Sequence, residues 1–233
     1  MEKNNKTFYH LQIAKCGGTY INNIFVHNLF DIFSNNSISY IDGEYHLGWQ
    51  DLENIYTLSC FRDPLKRTIS HYAYYKNGGP TGKALINIPS FIEWVKQNEQ
   101  LVANYQIKNF LYTKKNFHLN PFNPTDGIDP DFMSIKIDKD KAIDRIKNTN
   151  ILLKNSQLNN ETCLTVMQII LDDFSLNKKS FIDESKQHDH NITIGSKEIY
   201  DNLSAKEIEY VYSINSIDSE IYMSNNLFFN GGK

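Results

Sequence analysis

The sequence predicts an α/β fold with a central, mainly parallel sheet flanked by helices. Three short apolar runs, residues 8–13, 56–61 and 151–153, are each followed by a segment with helical periodicity. Strands that alternate with helices are typical of parallel sheets, because a parallel pair needs a crossover connection. With 233 residues, 40% of them hydrophobic, the chain fits one domain over residues 1–233 and is not globally disordered.

The first of these units carries a glycine turn, residues 15–19, with the sequence Lys-Cys-Gly-Gly-Thr. Apolar residues recur at helical spacing directly after it, so we expect a helix to begin there. A helix N-terminus behind a glycine turn offers backbone N–H groups and a positive dipole end to an anion. We expect Gly17 and Gly18 to let a phosphate approach the backbone, Thr19 to cap the helix, and Lys15 to add a charge.

The glycine turn is not a Walker A loop, because its lysine precedes the glycines. Taken alone, the turn is equally well explained as an ordinary strand-to-helix connection. Residues 40–49 follow the first helix, and their glycines and mixed polarity predict a loop. This loop contains His46, and a lone histidine in such a place more often has a structural role than a catalytic one.

The second unit, residues 56–61, leads into Arg62 and then into a helix whose first turn contains Pro64. Arg62 stands at the carboxyl end of the predicted strand, where open α/β sheets bind ligands. Ser70 lies two helical turns further on, so the pair is suited to hold a second phosphate. The alternative is a solvated, basic helix start.

The rest of the chain predicts more helices and loops, and one more strand at residues 151–153. Capping boxes open helices at Ser90 and Ser204. Further helical patterns cover residues 101–111, 139–147, 161–174 and 205–222, and loops are expected at 77–89, 120–130 and 175–194. His188 and His190 in the last loop have no evident third ligand, so no metal site is predicted.

Composition restricts the partners and the compartment. A net charge of −3 gives no sign of a nucleic-acid-binding surface. Three scattered cysteines fit a reducing compartment, and no apolar run approaches the roughly 18 residues of a membrane span. These features predict a soluble, cytoplasmic protein, with a membrane anchor outside this chain as the open alternative.

Two segments together resemble the sulfotransferases that use 3′-phosphoadenosine 5′-phosphosulfate (PAPS). Residues 12–19, Gln-Ile-Ala-Lys-Cys-Gly-Gly-Thr, are similar to the 5′-phosphosulfate loop of that family. Residues 61–72, Phe-Arg-Asp-Pro-Leu-Lys-Arg-Thr-Ile-Ser-His-Tyr, are similar to its 3′-phosphate segment. The histidine between them and weaker matches at residues 104–111 and 215–222 point to the carbohydrate-type branch, which includes heparan sulfate 2-O-sulfotransferase.

The resemblance implies a P-loop-like three-layer fold and in-line transfer of a sulfuryl group to an acceptor hydroxyl, with a glycan favoured. His46 would be the base and Lys15 would stabilise the leaving group, without a metal. The PAPS-binding residues, which also bind the product PAP (adenosine 3′,5′-bisphosphate), would be Lys15, Cys16, Gly17, Gly18, Thr19, Tyr20, Arg62 and Ser70.

The chain departs from the family pattern at four positions. Gln12 stands where the family has histidine, Ala14 where it has proline, Cys16 where it has a hydroxyl residue, and Tyr45 where it has the glycine before the catalytic histidine. Two other functions therefore stay open. One is a nucleotide-dependent phosphotransferase, which predicts a Walker loop. The other is a non-catalytic protein that binds PAP or serves as a scaffold.

Overall fold

A computed structural model describes residues 6–42, 47–51, 54–79, 89–113, 130–176 and 193–229. Four strands form one sheet in the order β2-β1-β3-β4, and every neighbouring pair is parallel. Their bounds are β1 Thr7–Leu11, β2 Ser39–Asp42, β3 Ile55–Phe61 and β4 Ile151–Lys154. The predicted α/β class with a central parallel sheet is confirmed.

Helices flank the sheet and connect its strands. Their bounds are α1 Gly18–Asn35, α2 Pro64–Lys76, α3 Phe91–Gln97, α4 Glu99–Val102, α5 Tyr105–Leu111, α6 Pro130–Met133, α7 Lys139–Lys147, α8 Asn160–Asp173, α9 Ser196–Asp201, α10 Ala205–Ile214 and α11 Ser216–Met223. Both predicted capping boxes are present, at the starts of α3 and α10. Pro64 occupies the first turn of α2, as its fixed φ favours.

The sheet separates two hydrophobic cores, because successive side chains of a strand point to opposite faces. Phe8 of β1 packs into the core formed with α1 and α8. Its neighbour Tyr9 packs into the other core, with residues of α2 and α5. This arrangement gives three layers, with the carboxyl ends of β1 and β3 leading into α1 and α2.

Three predictions of local structure were wrong. Residues 40–42, predicted as part of a loop, belong to the edge strand β2, where Tyr40 stacks on Phe8 with ring centres 5.7 Å apart. The helical pattern over 101–111 is divided into α4 and α5 at Asn104, whose φ is 46°. The pattern over 205–222 is divided at Asn215 into α10 and α11.

The two helix breaks bond to each other, although they are more than 100 residues apart in the chain. Asn215 Oδ1 accepts from the Asn104 N–H, and Asn104 Oδ1 accepts from the N–H groups of Ile217 and Asp218. The carboxylate of Asp218 in turn accepts from the N–H groups of Gln106 and Ile107, both at 2.9 Å. The first turns of α5 and α11 therefore satisfy each other's unpaired backbone donors.

Asp218 makes stability depend on pH. Burial raises the pKa of Asp218 to about 6, although the two N–H bonds and Arg67 act in the opposite direction. The folded state thus holds this proton more tightly than the unfolded chain does. The resulting stabilisation is fully present below a pH of about 4 and is lost as the pH rises through about 6.

We expect the advantage of the wild type over Asp218→Asn in unfolding free energy to be about 1 kcal/mol larger at about pH 5 than at about pH 7. Urea unfolding of both proteins at the two pH values measures this difference. A difference that is constant, or that grows toward neutral pH, would show that the buried carboxyl does not take up a proton in this range.

Candidate anion-binding site

The glycine turn joins the end of β1 to the start of α1. Gly17 has a φ of 102° and is the residue before the helix, and the Cys16 N–H donates to Ile13 O at 3.1 Å. No side chain caps α1, so the prediction that Thr19 caps it is wrong; Thr19 is the second residue of the helix and is exposed. The N–H groups of Gly18 and Thr19 have no acceptor within the helix and suit an anion.

The two glycines are required by the protein's own packing. A Cβ at Gly17 would lie 2.5 Å from Leu158 Cδ1, and one at Gly18 would lie 2.5 Å from the Gln12 side chain. The side chains of Leu158 and Gln12 occupy the space beside the two glycines where we expected a phosphate to approach. The glycines therefore shape the turn, and any ligand approaches it from another side.

Lys15 is half-buried in the turn. Its backbone φ is 69°, a value that residues other than glycine rarely adopt. Its Nζ lies 4.4 Å from the centre of the Tyr74 ring, within reach of a cation–π contact. Burial, followed by the nearby Arg62 and Arg67, lowers the pKa of Lys15. The ammonium group thus shares its surroundings with two guanidinium groups.

Arg62 follows β3 and extends its side chain to the glycine turn. Its Nη1 donates to the backbone oxygen of Lys15 at 3.0 Å. The two segments predicted to bind anions therefore meet at the carboxyl edge of the sheet. The contact joins the Arg62 guanidinium group to the backbone carbonyl of Lys15, so the positive charges of Arg62 and Lys15 are both retained.

Sequence reasoning missed Arg67 as part of this cluster. The side chain is 1% exposed, and its Cζ lies 3.4 Å from the centre of the Tyr105 ring. Its Nε donates to Ala14 O at 3.3 Å, just before the glycine turn. A basic residue one turn after Pro64 on a mostly buried helix was the available signal, but its partner Tyr105 is distant in the sequence.

Among the described residues, no carboxylate is in direct contact with the cluster of Lys15, Arg62 and Arg67. Within the part of the chain that the structure describes, none of the three forms an ion pair. Two of their buried donors, Arg62 Nε and Arg67 Nη1, also have no hydrogen-bond acceptor among the residues that the structure describes. Buried and half-buried cations without a direct ion-pair partner are unfavourable, so this edge of the sheet suits an anion.

Ser70 lies on α2, two turns after Arg62, and is 1% exposed. Its hydroxyl is 2.9 Å from the hydroxyl of Thr193, a residue that sequence reasoning did not single out. A hydroxyl group has one donor and two acceptor sites. Ser70 can therefore donate to a ligand only while Thr193 donates to Ser70.

The side chains of Cys16 and Tyr20 form hydrogen bonds within the protein. The Cys16 thiol is buried and donates to Gln106 Oε1 at 3.1 Å, and burial raises the pKa of this thiol to about 12. The Tyr20 hydroxyl donates to Asn160 Oδ1 at 2.8 Å, across to α8. In this arrangement both side chains fix the turn to the rest of the fold.

A polar network beneath the turn was also missed. Asn22 Oδ1 lies 2.7 Å from His10 Nδ1, and Asn22 Nδ2 donates to Gln12 and Asp42. Burial lowers the pKa of His10. This network ties β1, β2 and α1 together directly behind Gly18.

His46 lies outside the described residues, as do His188 and His190. The next described residue after His46, Leu47, is buried, and Gly48 forms an isolated bridge with Thr113. Within the described ranges no set of three or more His, Cys, Asp or Glu residues is arranged to hold a metal ion. Among the helices of those ranges, none has the length and hydropathy needed to cross a bilayer.

In comparisons with known proteins, no family model matches this chain, and no curated protein matches it.

The packing at Gly17 predicts a loss of stability on substitution. Gly17→Ala should lower the unfolding free energy by about 2–4 kcal/mol, because it combines an unfavourable positive φ with overlap against Leu158. Gly195→Ala is the matched control, since Gly195 also precedes a helix with a φ of 83° but has no atom of the described residues within 4 Å of its Cβ position. It should lose only about 1 kcal/mol.

Chemical unfolding of the two variants and the wild type measures both effects. Equal losses in the two variants would show that the contact with Leu158 does not restrict this position.

Proposed function

We propose that this chain is a PAPS-dependent sulfotransferase that transfers a sulfuryl group to an acceptor hydroxyl, with a carbohydrate as the favoured acceptor. The proposal combines the two sequence segments with one observation, the 3.0 Å contact from Arg62 Nη1 to Lys15 O. This contact brings the segments to a single edge of the sheet, where one nucleotide with two phosphate groups can reach both.

The electrostatics of the edge support an anionic ligand. Lys15, Arg62 and Arg67 have no ion-pair partner in the described ranges, and the N-terminus of the 18-residue α1 adds its dipole. Unpaired cations at a helix N-terminus favour phosphate or sulfate groups over neutral ligands. The residues present therefore suit an anionic ligand, as the proposed nucleotide with phosphate groups at both ends requires.

Each binding residue has a distinct task in the proposal. The 5′-phosphosulfate would lie against the N–H groups of Gly18 and Thr19 and the ammonium of Lys15. The 3′-phosphate would be held by Arg62 and the hydroxyl of Ser70. The 3′-phosphate takes no part in the chemistry, so its contacts fix the position of the donor.

In the proposed reaction, an acceptor hydroxyl oxygen forms a bond to the donor's sulfur, and the bond from sulfur to the bridging phosphate oxygen breaks. PAPS supplies the activated sulfuryl group. Negative charge grows on the bridging oxygen, and Lys15 stabilises it there. His46 takes the hydroxyl proton, and a base in this role accelerates such reactions by about 10²–10⁴-fold.

A non-catalytic protein that binds the bisphosphate is the second candidate. The observation that favours it is the inward orientation of Cys16, whose thiol and backbone N–H both have acceptors within the protein. The turn thus offers fewer donors than a hydroxyl residue facing the ligand would give. Binding without transfer would distinguish this candidate from the enzyme.

Arg62→Ala should weaken the binding of adenosine 3′,5′-bisphosphate by about 10–100-fold, because a charge-assisted phosphate contact contributes about 1.5–3 kcal/mol. Lys76→Ala, which removes an exposed positive charge at the far end of α2, is the matched control and should change affinity less than about threefold. Isothermal titration calorimetry measures both. Equal affinity in wild type and Arg62→Ala would remove Arg62 from the site.

The catalytic roles predict a different pattern. With PAPS and an accepted substrate, Lys15→Ala should lower kcat by about 10²–10³-fold and His46→Gln by about 10²–10⁴-fold. His46→Gln should bind the bisphosphate as the wild type does, because its role is in proton transfer. Transfer of radiolabelled sulfate, screened over sugars, lipids, small metabolites and tyrosine peptides, measures the rates.

Full turnover in His46→Gln would assign the base elsewhere. Tight bisphosphate binding by the wild type without transfer to any acceptor class would favour the non-catalytic candidate. Magnesium-dependent ATP binding without a response to the bisphosphate would favour a phosphotransferase.

A further inference from the structure

Gln106 pairs with the backbone of Arg62 as a neighbouring strand would. It lies on α5 and is 0% exposed. Its Oε1 accepts from the Arg62 N–H and its Nε2 donates to the Arg62 oxygen, both at 2.8 Å. The pairing of β1 with β3 ends at Ser59, so at Arg62 a side-chain amide replaces the missing strand partner.

The same amide also binds the glycine turn. Gln106 Oε1 accepts from the Cys16 thiol at 3.1 Å, while Arg62 Nη1 donates to Lys15 O at 3.0 Å. These contacts close a ring that runs from Gln106 through Arg62, Lys15 and Cys16 back to Gln106. One side chain thus links the two segments that the proposed function assigns to the two phosphate groups.

Gln106 is itself fixed from the C-terminal part of the chain. Asp218 Oδ2 accepts from its N–H at 2.9 Å, and Asp218 Oδ1 accepts from the N–H of Ile107 at the same distance. Both Gln106 and Asp218 are buried. The amide therefore has little freedom to follow a displaced Arg62.

Charge explains why a neutral amide is suited to this position. Lys15, Arg62 and Arg67 repel one another, so a group between their segments has to hold the segments together. A carboxylate in place of the amide would hold them but would also neutralise the positive potential that attracts an anion. An amide offers an acceptor and a donor without a net charge.

We infer that Gln106 is a positioning residue that fixes the spacing between the glycine turn and Arg62, so that both ends of a doubly phosphorylated ligand are bound together. The identity of that ligand rests on the proposed function. Gln106 itself acts through Arg62 and Cys16. When two contacts belong to one ligand, the second adds affinity only if the spacing of the two sites matches the ligand.

The test compares ligands with one and two phosphate groups in the full chain. Calorimetry gives the affinities of adenosine 3′,5′-bisphosphate, adenosine 5′-monophosphate and adenosine 3′-monophosphate. In Gln106→Met, which keeps the length but loses the amide, the advantage of the bisphosphate over the better monophosphate should fall by about tenfold. The monophosphate affinities should change by less than about threefold.

Asn109→Leu is the matched control, because Asn109 is a buried amide on the same helix whose nitrogen donates to Tyr105 O. It should lose stability but keep the advantage of the bisphosphate. An unchanged advantage in Gln106→Met, or an equal fall in both variants, would overturn the inference. If Gln106→Met does not fold, Gln106→Asn gives the same comparison, because its side chain keeps a neutral amide but is one methylene too short to make both bonds to the Arg62 backbone.

A ligand-free measurement separates this inference from the proposed function. Hydrogen exchange should show lower protection of the Arg62 N–H in Gln106→Met than in the wild type and in Asn109→Leu. If the wild type binds none of the three nucleotides, the proposed function fails, and the exchange result alone supports or overturns the role of Gln106. Unchanged protection of Arg62 would overturn it.

Discussion

Repulsion among Lys15, Arg62 and Arg67 is the constraint around which this edge of the sheet is built. The fold opposes it with backbone oxygens, which accept from Arg62 and Arg67, and with aromatic rings against Lys15 and Arg67. These contacts solvate the cations without neutralising them. The folded state therefore keeps a positive potential that a bound anion relieves, and such an anion would stabilise the fold through linkage.

The C-terminal helices take part in this constraint, although they lie behind the site. Asp218 on α11 fixes the first turn of α5, and Gln106 on α5 fixes Arg62 and Cys16. Gln106 lies between the buried carboxylate and Arg62, and the carboxylate attracts Arg67 from a distance without taking the place of the proposed anion. Because of this separation, the carboxylate can stabilise the cationic cluster while the electrostatic potential at the proposed ligand position stays positive.

The three apolar runs and the two capping boxes were sufficient to predict β1, β3 and β4 and the starts of α3 and α10, because these features are local. The edge strand β2 was not predictable in this way, since its residues are half-exposed and pair on one side only. The break at Asn104 depends on Asn215, and the burial of Arg67 depends on Tyr105. Such features require contacts between segments that the sequence does not show to be neighbours.

Cys16 shows how a departure from a sequence pattern is interpreted through geometry. As a sequence feature, a thiol in place of a hydroxyl removes a donor from the phosphate-binding turn. In the structure the Cys16 side chain is 1% exposed and donates to Gln106, so it holds the turn against α5. A residue there acts on the spacing of the turn and Arg62, and through that spacing it would influence the proposed anion binding. A thiol meets this requirement because it fills the buried space and still donates to the amide.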